Sequence, residues 1–151
     1  MSSVIAATAS RVQEHTPPEY NRQIQRQIEF NVQSFVDATD AEIEQRLYEL
    51  DEEWTIERVL EANAASLCLA GATLGFTSNR AFFLIPGIVG AFLLQHAVQG
   101  WCPPLTLFRR LGFRTATEID TERYALKALR GDFEKLKSES GGRINPQTAL
   151  D

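Results

Sequence analysis

Few side chains in this chain could do chemistry, and those that could gather around one apolar stretch. Cys102 stands just before Arg109 and Arg110, and nearby positive charge favours the thiolate, the nucleophilic form. The negative end of a helix closing at residue 101 opposes it. His96 is the only titratable side chain inside an apolar span, and such groups are functional candidates by default. It precedes Trp101 by five residues, about 7–8 Å of helix, so a contact at the wet interface is the competing reading. Gln95 and Gln99 carry amides that need partners in lipid, and Asn63 comes level with His96 if the chain turns at 79–80. No spacing resembles a metal site, a nucleophile with its base or a cofactor cradle. The chain is therefore expected to hold no catalytic residue, metal or cofactor, and not to be an enzyme.

These residues lie in a segment of unusual composition. From Ala62 to Phe108 the only Asp, Glu, Lys or Arg is Arg80, beside the turn residues Ser78 and Asn79. A bilayer core needs about 20 mostly apolar helical residues, so 62–79 and 81–101 read as two spans of a transmembrane hairpin occupying 62–102. Apolar side chains gain little by leaving lipid for one another, so small and polar residues mark packing. Gly71 and Gly75 are spaced for close approach, and Gly87, Ala91, Gln95 and Gln99 form a seam for a contact inside the hairpin or across a dimer. With the turn at 79–80, Cys102 lies roughly 16 Å beyond the level of Cys68. That is too far for a disulfide, and Cys102 is the thiol expected to be accessible. Arg58 before the spans and Arg109, Arg110 and Arg114 after them outnumber Arg80 in the turn, which places both termini in the cytoplasm. The last three are also candidates for lipid headgroups.

The flanks are polar. Residues 1–61 carry 5 basic and 13 acidic side chains, and 103–151 carry 9 and 7. A basic stripe for phosphates is missing, so no nucleic-acid partner is expected. Residues 1–15 lack a basic segment followed by an apolar one, the mark of a cleaved signal peptide, and are expected to be loose. Residues 16–61 read as amphipathic helices. Thr16-Pro17-Pro18-Glu19 opens the first, with Ile24, Ile28, Val32 and Phe35 on its stripe, and Thr39 with Glu42 restarts the second as a capping box. Ile43, Leu47, Leu50 and Trp54 continue that stripe, and the two stripes are expected to pair. With no proline or glycine between Trp54 and Gly71, the second helix is expected to run unbroken into the membrane. Pro103-Pro104 ends the hairpin. An interfacial linker and an amphipathic helix then fill 103–139, opened by Thr115 and Glu118, with Ile119, Leu126, Leu129, Phe133 and Leu136 on one side; 140–151 reads as a tail after Gly141. The fold class is all-α: a two-span transmembrane hairpin with amphipathic cytoplasmic helices on both sides.

Gly100-Trp101-Cys102-Pro103-Pro104 followed by Leu111-Gly112, after a two-span hairpin, resembles the YgaP-like transmembrane domain. Glu53-Trp54-Thr55-Ile56-Glu57-Arg58 and Leu126-Lys127-Ala128-Leu129-Arg130-Gly131-Asp132-Phe133 are similar to flanks of its stand-alone bacterial members. The resemblance implies a bacterial inner-membrane protein, dimeric or of higher homo-oligomeric order. Some members join the hairpin to a rhodanese domain; no rhodanese-like cysteine loop occurs here, so sulfurtransferase activity carries over to no residue. Three functions follow as expectations. The first is a non-enzymatic anchor, oligomerisation or partner-binding module meeting lipids and a cytoplasmic protein. The second is a thiol or sulfur-species handler, or small-anion conduit, using Cys102. The third is a soluble helical assembly that buries the hairpin between subunits.

Overall fold

The computed structural model describes residues 10–133, and within them every element is helical. Seven α-helices follow in order: α1 (Arg11–Glu14), α2 (Pro18–Ser34), α3 (Asp40–Glu52), α4 (Ile56–Thr77), α5 (Leu84–Gln99), α6 (Pro103–Arg110) and α7 (Ala116–Leu129), with a 3₁₀ turn at Arg80–Phe83. They divide into two compact units, one of residues 10–24 and Trp54–Thr117, the other of Gln25–Glu53 and 118–133.

The first unit contains the hairpin. Among the described residues two helical stretches are long enough and apolar enough to cross a membrane, one ending with α4 at Thr77 and the other Arg80–Gln99, the 3₁₀ turn together with α5. They turn where expected: the Asn79 side chain accepts the Ala81 amide at 2.8 Å, opening the 3₁₀ turn. Gly71 and Gly75 set the approach of the two helices, because a Cβ on Gly71 would stand 2.8 Å from Ile85 Cβ and one on Gly75 would stand 2.9 Å from the Phe83 ring. The inner face of α4 is thus Leu60, Ala64, Gly71 and Gly75, all buried. The lipid-sized side chains point the other way, Leu69 being 71% and Phe76 84% exposed.

One expectation fails at the start of α4. Helix α3 stops at Glu52; Glu53 is extended, and the Thr55 hydroxyl caps a new helix by accepting the Arg58 amide at 3.3 Å. No unbroken helix therefore leads into the hairpin. A hydroxyl that satisfies a first-turn amide makes a helix start without proline or glycine. Trp54 leaves the α3 stripe with this break, half exposed beneath the Arg58 guanidinium, 4.3 Å from its ring centre.

Residues 11–15 also depart from the loose segment expected. Helix α1 buries Val12 in a cluster with Ile56, Leu60, Cys102 and Leu105. The Thr16 hydroxyl, expected to cap α2, donates to the Val12 carbonyl at 2.6 Å and closes α1 instead.

In the second unit, Ile43, Leu47 and Leu50 of α3 pack with Ile119 and Leu126 of α7, with Phe35 and Ala38 against them. The stripe of α3 thus packs with α7, and Phe35, the last residue of the first helix's stripe, lies against the same cluster. The Thr39–Glu42 capping box forms as expected, and the amide and hydroxyl of Thr39 hold the Glu42 carboxyl below its ordinary pKa. Leu129 and Phe133 remain partly exposed; Leu136 and the Gly141 tail lie outside the described residues.

Candidate functional site at the end of the hairpin

The open end of the hairpin, where α1, α6 and the first turn of α4 meet α5, collects most of the residues that the sequence marks as chemical. Helix α5 ends at Gly100, whose amide donates to the His96 carbonyl at 2.8 Å. Trp101 and Cys102 follow in extended form, and Pro103 and Pro104 open α6, where the missing amides cost nothing because first-turn amides have no helical acceptor. The Cys102 side chain is turned inward, 4% exposed, against Val12, Ile56, Leu60 and Leu105. Burial raises its thiol pKa above the ordinary value, and the Leu105 amide lowers it by less. The accessible thiol expected from the sequence is thus a packing residue, since an apolar surround disfavours the anion that would react. Cys102 should label with a water-soluble maleimide at least about tenfold more slowly in the folded protein than after denaturation. Equal rates, read by mass spectrometry on the two states, would contradict its burial.

Helix α6 stops at Leu111-Gly112. Gly112 takes φ +91°, its amide donates to Arg109 at 3.0 Å and the Phe113 amide to the Phe108 carbonyl at 3.1 Å, the paired bonds of a Schellman motif. The reversal brings Phe113 edge-on to Phe108, ring centres 5.9 Å apart, and sends the Arg114 carbonyl to the Ile56 amide at 2.8 Å, tying this turn to the head of α4.

Arg109 corrects a further expectation. It is 1% exposed, and its guanidinium donates to the Phe113 carbonyl at 3.1 Å and to Asn21 Oδ1 at 2.9 Å. Arg114 is also buried. Of the three arginines expected at lipid headgroups, only Arg110 is exposed; the other two hold structure.

Cys102, the Gly-Trp-Cys-Pro-Pro turn, the Leu-Gly stop and the hairpin before them thus form one packed unit, and the family comparison covers this same segment. Residues 54–118 match the family described as the inner membrane protein YgaP-like, transmembrane domain. That segment is similar to the YgaP-like domain. The YgaP-like domain begins at the Trp54 break rather than inside a continuous helix, as the structure does. No curated protein and no solved structure matches the chain. With the family and two spanning helices together, this is a membrane protein with transmembrane helices.

Within the YgaP-like domain, His96 lies on the inner face of α5, 7% exposed, and among the described residues neither ring nitrogen has a hydrogen-bond partner. Asn63, expected as a partner for this region, instead lines a small apolar cavity of about 100 Å³ with Leu60, Leu93, Cys102 and Pro104. Gln95 is half-buried and Gln99 exposed. The seam is therefore not an internal contact: Gly87 and Ala91 face outward, and a Cβ on Gly87 would meet nothing within 4 Å. Two groups had no local signal. Glu57, in the first turn of α4, buries an unpartnered Oε2; Arg11 donates from Nη1 to the Ala97 carbonyl at 3.2 Å. Both depend on α1 folding back over the hairpin, which a Ser/Ala/Thr-rich opening does not announce.

Proposed function

We propose that this chain is a non-enzymatic module of the bacterial inner membrane, anchored by the α4–α5 hairpin with both ends in the cytoplasm, self-associating, and offering its polar helices to a cytoplasmic partner. The observation that carries the reading is the division of small residues. Gly71 and Gly75 are used up inside the hairpin, whereas Gly87 and Ala91 are left on the outer face of α5, where close packing against another helix is the main attraction available in lipid. Helix α3 precedes the spans and α7 follows them, yet they share one core, which supports both flanks lying on one side of the membrane. The arginine bias supports the cytoplasm as that side. With Cys102 packed in the core, the thiol-handling alternative lacks a reactive group.

The test has two parts. The protein should stay in the membrane pellet after alkaline carbonate extraction, with tags at both ends reached only from the cytoplasmic side; release without detergent sinks the anchor. Crosslinking of copies should fall at least about threefold in Gly87→Leu and Ala91→Leu but not in Leu93→Ile, a modest loss in keeping with the small energies of membrane helix contacts. Equal yields in all three would remove the seam as an interface.

A further inference from the structure

The hairpin end holds an imidazole almost wholly enclosed, with no hydrogen-bond partner for either ring nitrogen among the described residues. Burying a polar group without a partner costs free energy, and a native position that keeps such a cost calls for a use. Its charged surroundings come from two elements. Helix α1 contributes Arg11 and His15, and α4 contributes Glu57. Arg11 is held one residue along from His96, on the Ala97 carbonyl, and the Glu57 Oε2 is itself buried and unpartnered. Glu57 and Arg11 also border an opening of about 370 Å³ shared with Gln13 and Thr115, so water has a path to this corner.

The element seated on the turn that carries His96 is α1. It lies directly on the end of α5: a Cβ on Gly100 would stand 2.6 Å from Arg11 Cβ and 2.9 Å from the Arg11 carbonyl oxygen. This element is four residues long, fixed by Val12 in the core, by Arg11 on Ala97, by Gln13 on the Thr115 hydroxyl at 3.2 Å and by the Asn21 amide on the Gln13 carbonyl at 2.9 Å. Single-turn peripheral elements of this kind open at a small fraction of the global unfolding free energy.

We propose that His96 is a proton-binding site whose occupancy decides if α1 stays seated on the end of α5. In the neutral state the imidazole tolerates burial, and α1 stays seated. When a proton from water takes the lone pair of the free ring nitrogen, a cation is created beside an element that already brings the Arg11 guanidinium. The repulsion is relieved by lifting α1, which carries Arg11 and His15 away, admits water and leaves Glu57 as the counter-charge. Loss of the proton to water restores the seated form. This inference does not depend on self-association, and monomeric protein suffices to test it.

The experiment uses the full chain in lipid nanodiscs. Hydrogen exchange of the α1 amides, divided by their intrinsic rates, is followed from about pH 8 to about pH 4.5, with the His96 imidazole resonances titrated in parallel. Protection of α1 should fall at least about tenfold, with the same midpoint as His96, while α4 and α5 keep theirs. His96→Gln should abolish the fall and His15→Gln should retain it. Glu57→Gln should lower the midpoint and Arg11→Gln should raise it, each by about one pH unit, because one removes an attracting charge and the other a repelling one. The proposal is overturned by a fall that survives His96→Gln, by His96 titrating with α1 unmoved, or by midpoint shifts of the opposite sign. Should His96→Gln lose protection throughout the hairpin, the wild-type comparison of midpoints and the Glu57→Gln shift still decide.

Discussion

Replacing Glu122 by alanine is expected to destabilise the unit of residues 25–53 and 118–133 by about 3–5 kcal/mol, the usual range for removing one partner of a buried ion pair. Glu122 occupies a core position on α7, between Ile119 and Leu126, and is 0% exposed. Arg46 reaches its Oε1 through Nε at 3.0 Å and Nη2 at 2.8 Å, and the Asn31 amide bridges both carboxylate oxygens at 3.2 and 3.1 Å. Alanine leaves these donors facing an apolar gap. Arg46→Met with Glu122→Leu should be milder than either truncation alone, since it removes both charges and fills the space. Urea unfolding read from exchange protection in α3 measures the difference. A loss under about 1 kcal/mol for Glu122→Ala would mean that the exposed part of Arg46 simply turns to water.

Gly71→Leu is expected to open the hairpin where Gly87→Leu leaves it closed. The first substitution drives a side chain against Ile85 Cβ at 2.8 Å and Pro86 Cδ at 2.9 Å. The proline ring cannot rotate away, so the helices themselves must separate. Overpacking of this kind costs about 1–3 kcal/mol even where side chains can adjust, and here it also loses the close approach that holds membrane helices together. Spin labels placed on exposed positions of α4 and α5 should report a wider, longer distance distribution in Gly71→Leu only. An unchanged distribution would show that Gly71 is not the point of contact.

Much of this was legible in the residues. The hairpin followed from a stretch whose one charge is Arg80, its turn from Asn79, the α3 start from Thr39 and Glu42, and the apolar stripes of α3 and α7, though not their packing together, from helical spacing. What could not be read were features decided by distant parts of the chain. Arg109 reads as one of an exposed basic pair, and its burial depends on Asn21, 88 residues away. Glu122 looks like one more charge on a polar helix, and its burial depends on Arg46, 76 residues distant, and on Asn31, 91 residues distant. Cys102 next to arginines suggests reactivity, until α1 returns to cover it with Val12. The break at Glu53–Thr55 has a faint local signal, a threonine hydroxyl with no proline, glycine or capping-box carboxylate beside it.

Because α3 is made before the hairpin and α7 after it, the core they share is completed only once both spans have left the ribosome. Translation runs at about 5–20 residues per second, so for some seconds Ile43, Leu47 and Leu50 wait with their stripe uncovered. The joining of Arg46 to Glu122 is then a late assembly event that registers correct insertion. A hairpin that crosses the membrane once strands α7 on the opposite side from α3, and leaves an apolar helix face for proteases and chaperones to find.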